Sequence, residues 1–436
     1  MSGLRGQISG REMARLMVLV LLLVAATPGC AVRRAAVHGT MTVTPSLALY
    51  DAPVTGSVRG LPSGAHTTIT ATATDAAGVA WSASAKFRAN RDGVVSFDQA
   101  PLGGSYAQAD PMGLLEFMAP RGDAAEHPAF EQPLSGDYEV EFEASVNGST
   151  VATTRIRRQS PGAAGVVPRD LRVPTEGIYG TLFRPKDTSA KRPGVLVFGG
   201  SEGGLHPAVK SKAALLAAHG FPALALAYFD APGLPDTLTA IPLEYFTKAL
   251  SVLRARAGVD PQRVFLRGTS RGGEASLLLA SYFPHLVNGV IAEVPSPYVV
   301  PSPARLDRSA WSLRGRDLPH ATERQLGAPA VAVDPRTHIP VERIRGPVLL
   351  TCGQIDPVWP SCPNVEDISA RLTAHRFGYP VTVLRYPEAG HLVGTIQPYT
   401  SFTNALLVRA GGSVAGTQAA NVDVHIKALA LLAQSD

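Results

Sequence analysis

The sequence predicts two folded parts in series: an all-β, immunoglobulin-like sandwich over 40–158, then an α/β domain over 171–436 with a parallel sheet between helical layers. Two observations carry this. Before residue 158, apolar and polar residues alternate with period two in short runs broken by turn residues; after 171, unbroken apolar runs of strand length alternate with helical stretches. A strand with one face in a core alternates, whereas a strand buried on both faces reads as a continuous apolar run.

The elements follow in order. Arg11 and Arg15 precede the apolar run from Leu16 to Ala26 and then Thr27-Pro28-Gly29-Cys30. That run is too short for an ordinary membrane span, and residues 1–30 read as a secretory signal peptide directing the chain to the cell envelope or periplasm. A cysteine after a small residue at its end also reads as a lipoprotein processing site, at which Cys30 would carry a lipid and anchor the mature chain to a membrane. In the sandwich, strands are expected at 68–74, 80–87, 93–97 and 138–144, with turn residues such as Asp75 to Gly78 between them. Gln159 to Gly165 has the composition of a turn, so 159–170 reads as a linker. Buried strands are then expected at 195–198, 223–227, 264–266, 348–350 and 381–384, with helices at 212–219, 243–257 and 274–280. The segment 295–340, rich in Pro, Arg and Ala and carrying Trp311, His320 and His338, breaks this rhythm at the place where a substrate-covering lid would be inserted.

Composition excludes some functions. With 436 residues, 45% of them hydrophobic, the chain is long enough for more than one core. Its net charge of +5 becomes about +3 without Arg5, Arg11, Glu12 and Arg15. That is too mild for nucleic-acid binding, and no basic tract with interleaved aromatics is present.

Gly268-Thr269-Ser270-Arg271-Gly272 lies between the apolar Val264-Phe265-Leu266 and the helix-like 274–280. In a chain with 42 glycines the bare Gly-x-Ser-x-Gly pattern carries little; its position between strand and helix carries more. A serine at such a turn is held above the sheet in a strained conformation, with helix N-terminal N–H groups beside it, as in the nucleophile elbow of α/β-hydrolases. A serine hydroxyl needs a base, and the base needs a carboxylate to orient it. On this fold they follow in the order Ser, acid, His, each after a later strand. Asp356 follows the strand-like 347–353, and His391 follows 381–386; Glu388 is a second carboxylate that could be taken for the acid, but order, strand-end positions and the 35-residue separation point to Asp356 with His391. For the oxyanion, one backbone donor is expected at Arg271, after the nucleophile. The other is expected in Gly199-Gly200-Ser201-Glu202-Gly203-Gly204, at Ser201. That glycine-rich loop lacks the Gly-Lys-Ser/Thr ending of a phosphate loop. No His/Cys/Asp/Glu cluster has metal-ligand spacing, so neither metal nor cofactor is expected. Cys352 and Cys362, ten residues apart, read either as a disulfide or as two buried thiols.

These residues resemble the acyl-CoA thioester hydrolase and bile acid-CoA:amino acid N-acyltransferase family over nearly all of the mature chain. Pro101 to Tyr106 and Asp110 to Leu115 are similar to its N-terminal β-sandwich signature; Gly199 to Gly204, Ala225 to Phe229, Pro242 to Phe246 and Ile339 to Ile344 are similar to its hydrolase domain. The resemblance implies Ser270 as nucleophile, Asp356 as acid and His391 as base. Members that conjugate amino acids carry cysteine at the nucleophile position, so the serine implies hydrolysis of a small-molecule acyl thioester or ester. Arg271 stands where many members have lysine. Coenzyme A esters are cytosolic, which sets the implied substrate against the expected export; an exported carboxylesterase or peptidase on the same scaffold is the alternative.

Overall fold

The structure, a computed structural model, describes residues 38–123, 126–322 and 334–434. The expected signal peptide with Cys30, and 323–333 of the lid-like segment, lie outside these. From Val37 onward the chain forms one compact unit.

The N-terminal part is a sandwich. Thr40–Thr44, Thr55–Arg59 and Val95–Ser96 make a three-stranded sheet; Leu47–Leu49, Ser149–Gln159, Tyr138–Val146, His66–Thr74, Ala80–Arg88 and Gly103–Gly104 make the larger one, in that order, with Ala119–Pro120 also pairing with Ala80–Arg88. The alternation expected from the sequence is present in the burial: in His66–Thr74 the residues Thr67, Ile69, Ala71 and Ala73 face inward, and in Tyr138–Val146 so do Val140, Phe142 and Ala144. These side chains meet Met41, Val43, Val58 and Val95 of the smaller sheet in one core. One short helix, Gly113–Glu116, interrupts the strands.

The second part is a sheet of eight strands. We label them β1 (Val166–Leu171), β2 (Tyr179–Pro185), β3 (Arg192–Phe198), β4 (Ala223–Ala227), β5 (Val259–Thr269), β6 (Gly289–Glu293), β7 (Val348–Gly353) and β8 (Val381–Tyr386). Their spatial order is β1-β2-β4-β3-β5-β6-β7-β8; β2 is antiparallel to both neighbours and the pairs from β4 onward are parallel. This is the α/β-hydrolase arrangement. It corrects the linker reading of 159–170: the preceding strand extends to Gln159 and β1 begins at Val166, so only a tight turn joins the two sheets.

Among the described residues the long helices are α1 (Pro207–Ala218), α2 (Leu243–Arg254), α3 (Arg271–Tyr282), α4 (Ser361–Ala374) and α5 (Val414–Ala433). Phe246 and Leu250 of α2, Leu277 to Leu279 of α3 and Ile368 of α4 share a core with Leu196 and Leu266 on one sheet face. Val209, Ala213 and Leu216 of α1 and Leu432 of α5 pack with Val195 and Val197 on the other. Every residue of β4, β6 and β7 is buried, as strands between two helical layers must be.

Candidate active site

The strand order reverses around β3 and β4, and ligands of open α/β sheets bind beyond the carboxyl ends of the strands at such a switch. The loops after β3, β5, β7 and β8 leave the sheet at that edge.

Ser270 stands between β5 and α3 with φ 57° and ψ −118°. A non-glycine residue there costs about 1–3 kcal/mol and persists only where its surroundings over-determine it. They do: Ser270 N–H donates to the Glu293 carbonyl at 2.8 Å, and Glu274 N–H to the Ser270 carbonyl at 3.0 Å. The flanking glycines are required by close approach. A Cβ on Gly268 would lie 2.2 Å from the Gly272 carbonyl oxygen, and one on Gly272 2.3 Å from that of Gly199. A serine at a helix N-cap ordinarily turns its oxygen onto an N–H of the first turn. Ser270 makes no such bond, which leaves its Oγ available.

That Oγ is 2.9 Å from His391 Nε2, and His391 Nδ1 is 2.8 Å from Asp356 Oδ2. An ionised carboxylate only accepts, so the Nδ1 proton lies toward Asp356 and Nε2 is left to accept from Ser270. The Asp356 side chain is 1% exposed and that of His391 13%. Asp356 Oδ1 takes the N–H groups of Val358 (2.9 Å) and Trp359 (3.4 Å), and the Trp359 ring meets His391 edge-on at 5.7 Å, its own Nε1 donating to the Val294 carbonyl. Glu388 is exposed, apart from this chain of bonds. Such an array can remove a proton from a serine hydroxyl and return it to a leaving group.

Cys352 and Cys362 form a disulfide, resolving the two readings of the sequence. It joins the end of β7 to the start of α4 and so brackets the loop carrying Asp356; Ser361 Oγ donating to the Gly353 carbonyl at 3.1 Å closes the same loop.

The β3 loop lies against the nucleophile: a Cβ on Gly200 would be 3.1 Å from Ser270 Cβ. Both oxygens of the Glu202 carboxylate accept from Gly200 N–H, at 3.0 and 2.8 Å, and Tyr228 donates its hydroxyl to the Gly200 carbonyl at 2.6 Å. Ser201 is exposed beside them. Arg271, expected to contribute only its backbone, also has a structural side chain. Its guanidinium pairs with Glu274 at 2.7 Å and donates to the Val300 and Pro301 carbonyls at 2.9 and 3.1 Å, beneath the Trp311 ring. Trp311 Nε1 and Val300 N–H both donate to Glu274, at 2.7 and 2.9 Å. Val300, Pro301 and Trp311 of the lid-like segment are therefore bonded to α3, and Ala310, Trp311 and Ile339 are fully buried. Burial pushes the Glu274 carboxyl up to about 7, against the pull of Arg271.

Sequence reasoning missed the ionic cluster below the elbow. The Glu293 side chain, fully buried at the end of β6, pairs with Lys212 of α1 and Arg267 of β5 and accepts from Thr269, next to the nucleophile. The two cations hold Glu293 below the usual carboxylate range despite its burial, and desolvation lowers Lys212 to about 8. The only local signal was an acidic residue ending the apolar run Val290-Ile291-Ala292.

The sandwich also reaches the site indirectly. The segment after His391 docks on it: Phe130 N–H donates to the Ser401 carbonyl at 2.9 Å, Thr403 N–H to the Pro128 carbonyl at 2.8 Å, and Gln132 Nε2 to Thr400 Oγ1 at 3.1 Å.

Two family models match the chain. That of the Acyl-CoA thioester hydrolase/BAAT N-terminal region matches residues 51–166, and that of the BAAT / Acyl-CoA thioester hydrolase C terminal matches residues 241–415. Mouse (Mus musculus) acyl-coenzyme A thioesterase 2, mitochondrial, is 31% identical over 411 residues, covering 90% of this chain and 87% of that protein. Acyl-coenzyme A amino acid N-acyltransferase 2 of Rattus norvegicus is 31% identical over 385 residues, covering 83% and 88%. Among solved structures, a putative dienelactone hydrolase from Klebsiella pneumoniae is similar at 20% identity and a TM-score of 0.42, over 62% of this chain and 99% of that one.

Proposed function

Because the chain belongs to the acyl-CoA thioester hydrolase/BAAT family, we propose that it is a serine hydrolase of acyl thioesters, with Ser270 as nucleophile, His391 as base and Asp356 as the group that orients it. The observation that carries this is the unbroken hydrogen-bond chain from Asp356 through His391 to Ser270 at the carboxyl ends of β5, β7 and β8. Ser270 Oγ attacks the thioester carbonyl as its proton passes to His391 Nε2. The Arg271 N–H and a donor from the Gly199–Gly204 loop, Ser201 by our reading, stabilise the oxyanion. Collapse of the tetrahedral intermediate breaks the carbon–sulfur bond, and the thiolate leaves with the proton from His391. Water, deprotonated by the same ring, then cleaves the acyl-serine and restores the hydroxyl.

The relatives include both thioesterases and an N-acyltransferase at similar identity, so the choice between water and an amine as acyl acceptor rests on the nucleophile. Serine at 270, where conjugating members carry cysteine, favours water. We further propose that residues 1–30 export the chain and that Cys30 is lipidated. The disulfide between Cys352 and Cys362 supports an oxidising compartment. Outside the cytosol an acyl ester is the competing substrate.

The test is thiol release from a panel of acyl-CoA esters beside hydrolysis of nitrophenyl esters, with Ser270→Ala as control. Thioester turnover that disappears in the variant is expected. Ester turnover without thioester turnover would reject the thioester assignment and leave an exported esterase.

A further inference from the structure

A second cluster of chemically capable side chains lies away from Ser270, where the sandwich meets the hydrolase part. Asp51 lies between the sandwich strands Leu47–Leu49 and Thr55–Arg59; His219 ends α1; His425 lies within α5. Both imidazoles present Nε2 to the same carboxylate oxygen, Asp51 Oδ2, at 2.5 Å from His219 and 3.0 Å from His425. The three donor atoms all lie within 4.8 Å of one another, and the rings meet edge-on at 5.5 Å. The Asp51 side chain is 3% exposed and that of His425 7%, while His219 is 32% exposed and leaves a path from solvent. The other carboxylate oxygen, Oδ1, is buried with no hydrogen-bond partner. A buried carboxylate oxygen without a partner costs about 1–3 kcal/mol, so such atoms call for a specific explanation.

We propose that Asp51, His219 and His425 form a binding site for a divalent transition cation of the zinc class, joining the sandwich to the first and last long helices of the hydrolase part. Two neutral imidazoles and one carboxylate are a donor set that zinc accepts, with water as the fourth ligand. Ligand atoms of a tetrahedral zinc stand about 3.3 Å apart, as its bond lengths require. Oδ2 stands at hydrogen-bond distance from both rings, so admitting the ion requires it to withdraw from the two Nε2 atoms and those atoms to draw together, a rearrangement of all three side chains that would bring Oδ1 into use. Arg158 donates to the Tyr50 and Ala52 carbonyls on either side of Asp51 and adds positive charge nearby, which favours a site of modest affinity. The positions 51, 219 and 425 are too far apart in sequence for ligand spacing to reveal the cluster.

The experiment uses the purified full chain, stripped with a chelator, and its His219→Gln variant, chosen because His219 is the most exposed of the three. Titration with cobalt(II) is expected to give the visible absorption of a tetrahedral site at one equivalent, bleached by zinc. Zinc at a hundredfold excess over its Kd is expected to raise Tm by about 3–5 °C in the parent and not in the variant. Equal uptake by parent and variant means adventitious binding at other histidines and overturns the proposal. So does an absence of both the absorption and the Tm shift, which leaves a hydrogen-bonded His-Asp-His cluster. Asp51→Asn, which keeps the shape and one oxygen, provides a second folded variant with the same expected loss of cobalt absorption.

Discussion

Replacing Asp356 by asparagine would invert the proton arrangement that the proposed mechanism needs. Asp356 Oδ1 is held by the N–H groups of Val358 and Trp359, which require an acceptor, so the asparagine oxygen stays there and its NH2 faces His391 Nδ1. A donor at that position makes Nδ1 the acceptor. The neutral ring must then carry its proton on Nε2, pointing at Ser270 Oγ, and can no longer take one from it. The same inversion in a serine-protease triad lowers kcat about 10⁴-fold, or about 5 kcal/mol of barrier. We expect a comparable loss in thiol release from acyl-CoA, with Tm within a few degrees of the parent because size and the two backbone bonds are retained. Stopped-flow measurement should show the acyl-enzyme burst slowed with turnover, since acylation and deacylation use the same ring. A folded variant retaining activity within about tenfold of the parent would refute the reasoning, because His391 would then keep its tautomer without Asp356.

Lys212→Met should lower stability by about 3–5 kcal/mol in urea unfolding, because it leaves the buried Glu293 carboxylate with Arg267 and Thr269 alone; an unchanged midpoint would mean those two suffice. Glu274 gives a pH dependence. Its carboxyl is raised from 4.5 to about 7 in the fold, so between those values the folded chain holds a proton that the unfolded chain has lost, and stability falls as pH rises through that window. The fall is at most about 1.4 kcal/mol per pH unit, and Glu274→Gln should flatten it; an identical slope in both proteins would assign the dependence elsewhere. Replacing Cys352 and Cys362 together by serine should cost about 2–3 kcal/mol, as expected for opening a loop of this length, and should lower kcat through the freed Asp356 loop. Unchanged Tm and kcat, with reductant giving the same result on the parent, would show the loop to be held without the bridge.

What was legible in the sequence shares one physical property: it is encoded locally. Val195 to Phe198 and Ala223 to Ala227 announce buried parallel strands because both faces of each are covered, and the alternation from Thr68 to Thr74 announces a half-buried one. Ser270 was visible through its glycines and its place between strand and helix. Asp356 and His391 were visible because chain order and strand ends constrain them. What was not legible depends on tertiary proximity. Lys212, Arg267 and Glu293 come from a helix and two strands, and no spacing rule links them. The same holds for Glu274 with Trp311, which bonds the described part of the lid-like segment to α3. The linker reading failed for a different reason: Ser160, Pro161 and Gly162 do make a turn, but composition cannot tell a turn between two sheets from a flexible tether.

The unread interactions share a role. The three residues of the proposed triad sit at or beyond strand ends, where backbone is least constrained, yet a general base must hold its partner within hydrogen-bond reach. Each is secured by a different buried device. Ser270 is held by the Glu293 carbonyl, while the Glu293 carboxylate binds the adjoining Thr269 and two cations. The Asp356 loop is closed by a disulfide and by Ser361. The segment following His391 is bonded to Pro128, Phe130 and Gln132 of the N-terminal part. The sandwich is thereby part of the scaffold of the proposed site: it fixes the chain that leaves His391. Loosening it should therefore reduce kcat more than substrate affinity, because the distance at stake is that between Nε2 and Oγ.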